Sequence, residues 1–177
     1  MSQSSAPLVL TLKLDGHSFD RFNSLRQQHF PPERNFLPAH ITLFHALPSQ
    51  HERSICHTLQ EVCSQTSVLP LIFPTLRCLG NGVAIEVESS ELLQIHQDLA
   101  YRWKNWLTPQ DRQRYRSHIT IQNKVSPEQA RQLYDRLLPE WQLQQGQGEG
   151  LLLWYYKGGP WELVQEFGFS QTNNANK

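Results

Sequence analysis

Two short segments, His40-Ile41-Thr42-Leu43 and His118-Ile119-Thr120-Ile121, carry residue types suited to moving protons at a phosphodiester. Histidine titrates near pH 6.5, so one imidazole can take a proton from an attacking water while a second gives one to a departing alkoxide. A threonine two residues on lies on the same face of an extended strand as its histidine, because alternate side chains share a face. Its hydroxyl can donate to a non-bridging phosphate oxygen, where charge builds in the transition state. Either segment alone would read as a polar pair on a half-buried strand. Two of them supply a base, an acid and two donors, so neither a metal nor another cofactor is expected.

The same alternation sorts the neighbouring residues. His40, Thr42 and Phe44 are expected on one face of the first strand, with Ile41, Leu43 and His45 on the other. Phe44 is therefore a candidate for stacking on a nucleobase, with a core role as the competing reading, and His45 is expected in the core or between the two halves. In the second segment His118, Thr120, Gln122 and Lys124 oppose Ile119, Ile121 and Asn123. Arg114 and Arg116 join the His118 face if that strand extends backwards, where a guanidinium could hold a second phosphate or the product. Phe44, Arg114, Arg116 and Lys124 are thus the candidate substrate-binding residues. His51, Cys56 and His57 lie close in sequence but lack a fourth ligand, so no metal site is assigned to them. Trp154, Tyr155, Tyr156 and Trp161 flank a turn, where cross-strand aromatic packing is the favoured reading.

The elements that must position these residues follow from periodicity. Strands are expected over Leu8–Leu14, His40–Leu47, Leu69–Leu79, Val83–Val87 and Arg116–Val125, with Gly80-Asn81-Gly82 as a hairpin turn. Helices are expected over Ser18–Phe30, Ser49–Ser64 and Ser90–Leu107, and from Ser126-Pro127 to about Pro139. Pro31-Pro32 stops the first of these, and Ser126 with Gln129 forms a capping box that opens the last. Three more strands are expected from there to Phe169, with Gly158-Gly159-Pro160 turning the last hairpin. A helix, a strand beginning His-Ile-Thr and another helix therefore occur twice. The expected fold is α+β: a bilobal, pseudo-symmetric duplication of mainly antiparallel sheets, helices outside and a central cleft.

With 177 residues the chain suits one such domain over 1–177, and no low-complexity linker divides it. Lys+Arg and Asp+Glu are both 16, which leaves no global field to attract duplex DNA. Three cysteines without a CxxC pair make a poor disulfide framework or zinc site and fit a reducing compartment. Cys56 and Cys63 are both expected on the buried face of their helix. No signal peptide is readable and no apolar run approaches a membrane span. A monomer in the cytoplasm is expected, with a small nucleotide or an RNA-end phosphodiester as its partner.

The paired His-x-Thr-hydrophobic segments resemble those of the two-histidine (2H) phosphoesterase superfamily. Their spacing, the chain length and the element order resemble its 2′-5′ RNA ligase-like and cyclic phosphodiesterase branch. The segment Tyr155-Tyr156-Lys157-Gly158-Gly159-Pro160-Trp161-Glu162 is similar to small bacterial members. Members often carry proline before the motif histidine; Ala39 and Ser117 stand there in this chain, which leaves the chemistry intact. The resemblance implies a site between two lobes and metal-independent cleavage of 2′,3′-cyclic or 2′-5′ phosphodiesters. It implies His40, Thr42, His118 and Thr120 as catalytic residues, with His118 as the base and His40 as the acid, an order the residues themselves leave open. It also implies two alternatives, 2′-5′ joining of RNA ends and a non-catalytic nucleotide- or RNA-binding module on the same fold.

Overall fold

The computed structural model describes residues 6–170. Its elements run β1 (Leu8–Leu14), α1 (Gly16–His29), β2 (Ile41–Leu47), α2 (Glu52–Ser64), β3 (Leu69–Phe73), β4 (Leu76–Cys78), β5 (Val83–Glu86), α3 (Ser90–Arg102), β6 (His118–Gln122), α4 (Pro127–Leu137), β7 (Gln144–Tyr155) and β8 (Glu162–Gly168). Side-chain caps set three of the helix starts: Asp15 accepts from the Ser18 amide, Ser89 from Leu92, and Ser126 with Gln129 forms the full capping box ahead of Pro127. Each such cap satisfies amide donors that have no partner within the helix.

Every strand pair among these elements is antiparallel, and the strands form two sheets. The larger sheet runs β2-β1-β7-β3, and β8 also pairs with β7. Along β7, β3 pairs with Gln144–Gly148 and β8 with Gly150–Tyr155. The smaller sheet is β4-β5-β6, its first hairpin closed at Gly80 (φ +90°) by the Leu79 amide on the Gly82 carbonyl, 2.8 Å. The helix–strand–helix order does recur, as α1-β2-α2 and α3-β6-α4. The sheets are nonetheless unequal, because both C-terminal strands join the sheet that holds β1.

Where three strands were expected after Pro139, two are found, since β7 runs unbroken through Gly146, Gly148 and Gly150. These glycines serve close approach and not turning. A Cβ on Gly146 would lie 2.2 Å from Ser18 Oγ, and one on Gly150 would lie 2.5 Å from the Phe167 carbonyl.

One apolar cluster runs through both sheets and includes Leu10, Ile41, Leu43, Phe44, Ile85, Ile119 and Ile121. It buries the isoleucine of each His-Ile-Thr segment completely. Cys63 is buried as expected, whereas Cys56 is only half-buried. The pairing of β2 with β1 slips twice, between Thr42 and Phe44 and again between Phe44 and Leu47. An extra residue in one strand breaks the inside–outside alternation. Leu43 and Phe44 are therefore both buried, and His45 emerges exposed.

Candidate active site

His40 precedes β2 by one residue and His118 opens β6, and these two strands touch across the sheets. His40 Nδ1 lies 2.7 Å from the Pro38 carbonyl, and His118 Nδ1 lies 2.9 Å from the Arg116 carbonyl. A carbonyl only accepts, so each Nδ1 carries the proton and donates it. Both neutral rings consequently keep a bare Nε2, and both rings use the same anchor, a carbonyl two residues back. The charge of His118 acts on His40, and His40 and Thr120 line one cavity of about 450 Å³.

The threonines are held by their main chains. The Thr42 carbonyl accepts from Tyr115 Oη at 3.1 Å, and the Thr120 carbonyl accepts from Arg26 Nη1 at 2.9 Å. Neither threonine hydroxyl has a hydrogen-bond partner among the described residues, which leaves both available to a ligand.

Burial pushes His40 down to about 4, against the pull of the Pro38 carbonyl. The charges of Arg26, His118 and His45 lower it further. His118 is lowered too, first by burial, while the Arg116 carbonyl and Glu86 oppose the shift and Arg77 and His45 add to it. Desolvation disfavours the imidazolium in both rings, so both are neutral at pH 7 in the free protein.

Two arginines that sequence reasoning missed act electrostatically on the two histidines, Arg26 on His40 and Arg77 on His118. Arg26, on α1, is buried, spans Thr120 and Asn35 (2.9 Å to each), and lies 4.1 Å over the Phe30 ring. Burial lowers it to about 10, so it stays charged at neutral pH. The signal in the sequence is its place four residues after Phe22, on the buried stripe of its helix. Arg77, on β4, pairs with Ala84, which pairs with Thr120, while Glu86 pairs with His118. Cross-strand partners share a face, so Arg77 stands on the face that carries His118 and Thr120. Its Nε is buried without a hydrogen-bond partner, 3.5 Å from the Glu86 carboxylate.

The remaining candidates divide. Phe44 is fully buried, stacked 4.6 Å from His96, because the bulge in β2 turns it inward; it cannot stack on a base. Because β6 starts only at His118, the strand does not extend back to Arg114, which lines a separate 730 Å³ groove that holds none of the four catalytic candidates. Arg116 is near the site but bound to Glu86, Nη2 to Oε1 2.6 Å. Lys124 lines the His40 cavity from beyond the end of β6. His45, expected in the core or between the two halves, is exposed and outside the core; it ties β2 to Asp111 of the second half, and its charge reaches both His40 and His118. The buried Asp111 carboxylate fixes it, accepting from its Nδ1 at 3.1 Å and from the His45 and Ala46 amides. Of the C-terminal aromatics, Tyr156 and Trp161 line the cavity, with Trp161 edge-on to His40 at 4.9 Å, while Trp154 donates to buried Thr11.

The sequence profile of the 2′-5′ RNA ligase superfamily matches residues 14–160. No curated protein sequence matches the chain. Among solved structures, TT0787 of Thermus thermophilus superposes with a TM-score of 0.67 at 12% identity, covering 94% of this chain and 99% of its own. A phosphoesterase gives 0.63 at 14% identity with the same coverage. E. coli LigT complexed with 3′-AMP gives 0.61 at 15%, again covering 94% and 99%. At such identities these likenesses establish the fold.

Proposed function

We propose the reaction from one premise: the chain belongs to the 2′-5′ RNA ligase superfamily. The reaction is metal-independent hydrolysis of a 2′,3′-cyclic phosphate, or a related cyclic or 2′-5′ phosphodiester, of a nucleotide. The observation that carries this reading is the matched pair of imidazoles, each with Nδ1 tied to a carbonyl and Nε2 left bare. Binding alone would not need two rings prepared for proton transfer. E. coli LigT has been crystallised with 3′-AMP, NADP+ and ATP, which supports a nucleotide ligand.

His40 is the ring that most resists protonation, so its Nε2 serves as the base and takes a proton from water. The water oxygen bonds to phosphorus as the ester bond on the opposite side breaks. His118, protonated on Nε2, gives its proton to the departing ribose oxygen. This order reverses the one implied by resemblance. When the 3′ oxygen departs, the product is a 2′-monophosphate. Thr42 and Thr120 donate to the non-bridging oxygens, and the Arg77 guanidinium on the same face balances their charge.

Hydrolysis of nucleoside 2′,3′-cyclic phosphates in EDTA, with the product isomer identified by phosphorus NMR, tests the reading. Activity is expected to survive the chelator and to yield the 2′-monophosphate. Alanine at His40 or His118 should cost on the order of 10²–10⁴-fold, with a smaller loss at either threonine. Because burial lowers both imidazoles, kcat/KM should peak below pH 6.5, with its acid limb near 4. A folded His118→Ala variant with nearly full activity, or loss of turnover in EDTA, would sink the mechanism.

A further inference from the structure

We propose that the 730 Å³ groove along α3 is a second ligand site, separate from the cavity that contains His40, for a small aromatic anion of the nucleoside monophosphate class. Its occupancy is felt at the catalytic centre through the residues that anchor β2.

The repeat in the fold is the first support. The cavity that contains His40 is lined by α1 and by the connection from α1 into β2, and its Arg26 donates to the Thr120 carbonyl of the opposite segment. The groove is lined by α3 and by the connection from α3 into β6, and its Tyr115 donates to the Thr42 carbonyl of the opposite segment. Each half therefore builds a cavity in the same place, with one wall tied to the other half's threonine. Only the first contains a catalytic histidine. The second is built to hold a ligand without transforming it.

The chemistry of the lining is the second. Lys104, Arg112 and Arg114 are exposed cations in it. Among the described residues Arg114 has no hydrogen-bond or ion-pair partner, and the Arg112 guanidinium has only the Lys104 carbonyl, at 3.5 Å. Asp111 is the one acid in the lining among the described residues, and its buried carboxylate is already taken by His45 and by the His45 and Ala46 amides. Free guanidinium forks match the oxygens of a phosphate, and three cations suit a dianionic 5′-phosphate better than the single charge of a cyclic diester. Leu93, Ala100 and Leu107 supply apolar lining beside them, Leu93 being 43% exposed. A base laid there removes that surface from water. The groove's volume is within the range of small-ligand sites.

The link to the catalytic centre is the third. Tyr115 holds the Thr42 carbonyl at 3.1 Å, and Asp111 holds the side chain and amide of His45 on the same strand. Arg112 follows Asp111 directly, and Arg114 directly precedes Tyr115. A phosphate gripped by the two arginines therefore acts on the run 111–115 that anchors β2 at both points. Ligand in the groove shifts the strand that carries Thr42.

Equilibrium dialysis of the full chain against 5′-AMP, adenosine and inorganic phosphate tests the site. AMP binding at the groove should weaken by on the order of 10-fold or more in Arg112→Gln with Arg114→Gln, and separately in Leu93→Glu, with circular dichroism confirming the fold. AMP held in the cavity that contains His40 should be untouched by either change. Adenosine and phosphate should each bind the groove on the order of 10-fold more weakly than AMP. AMP binding that neither variant weakens would overturn the site. Adenosine or phosphate held there as tightly as AMP would also overturn it, since the cations or the apolar lining would then count for nothing. The link to catalysis rests on the hydrolase reading and has its own readout. At saturating 2′,3′-cyclic substrate, AMP should shift kcat by about twofold or more in the wild type and not in the double arginine variant, whose rate without AMP should match the wild type. A kcat that AMP leaves unchanged while the groove is filled would overturn the link. Absence of any hydrolysis defeats the hydrolase reading instead, and the dialysis still decides the site.

Discussion

His40 and His118 share one anchoring device and differ in surroundings, and the proposed order of base and acid rests on that difference. His40 sits under Trp161 and near Arg26, and is pushed down to about 4. His118 has Glu86 across the strand pair, which favours its proton. A leaving group that needs no proton separates the two roles. With a nucleoside p-nitrophenyl phosphodiester, His118→Ala should recover most of its lost rate relative to wild type, while His40→Ala should stay impaired. Recovery in His40→Ala instead would restore the order implied by resemblance. The strand placement of the two His-Ile-Thr segments, with each isoleucine buried, was legible because a period of two operates over three residues, before any irregularity intervenes. Phe44 and His45 were assigned to the wrong strand faces because the bulge at Leu43–Phe44 has no mark in the sequence, although the core reading of Phe44 and the between-halves reading of His45 agree with the structure. Arg77 was invisible for another reason: its route to Thr120 passes through the β5–β6 pairing, which joins residues far apart in the chain.

Several elements are tied to the site through a column of rings. His96 on α3 lies between Phe44 of β2 (4.6 Å) and Tyr115 (3.9 Å), nearly parallel to both, and Tyr115 holds the Thr42 carbonyl. Burial pushes His96 from the usual 6.5 down to about 4, although a hydrogen bond to the Leu43 backbone and the nearby Asp111 charge oppose the shift. Below pH 6.5 the unfolded chain takes up a proton at this ring that the folded one refuses. The stability this ring contributes is therefore complete above pH 6.5 and lost progressively down to about pH 4, up to about 3 kcal/mol in all. His96→Phe keeps the stack and removes the titration. Urea midpoints should fall less steeply between pH 6.5 and 4.5 in the variant than in wild type, even if the lost Leu43 hydrogen bond lowers stability at pH 7. Parallel curves would show that His96 does not titrate in this range. His96 falls within the helix that periodicity predicts over Ser90–Leu107, but ring stacking between elements depends on tertiary contacts and leaves no mark in the sequence.

At the scale of the whole molecule, the sequence reading divided the chain by its repeat, and the sheets cut across that division. β7 follows the second His-Ile-Thr segment, yet it lies between β1 and β3 at the centre of the larger sheet. Gly146 and Gly148 admit Ser18 and Leu12 of the first half, and Gly150 admits the Phe167 backbone of β8, so β7 is flanked by elements of both halves. Arg26 adds a tie in the other direction, from α1 to the carbonyl of Thr120 on β6. Neither half can therefore bury its apolar surface alone, because removing β7 strips a neighbour from β1, β3 and β8 together. Fragments 1–89 and 90–177, expressed separately, should each lack a cooperative unfolding transition. Mixed or co-expressed, they should recover one, along with activity, because the missing strand is then supplied in trans. For the intact chain, tryptophan fluorescence and far-UV circular dichroism should report a single coincident urea transition. A fragment 1–89 that unfolds cooperatively by itself would show that β1, β2 and β3 do not need β7, and the halves would then be separate folding units.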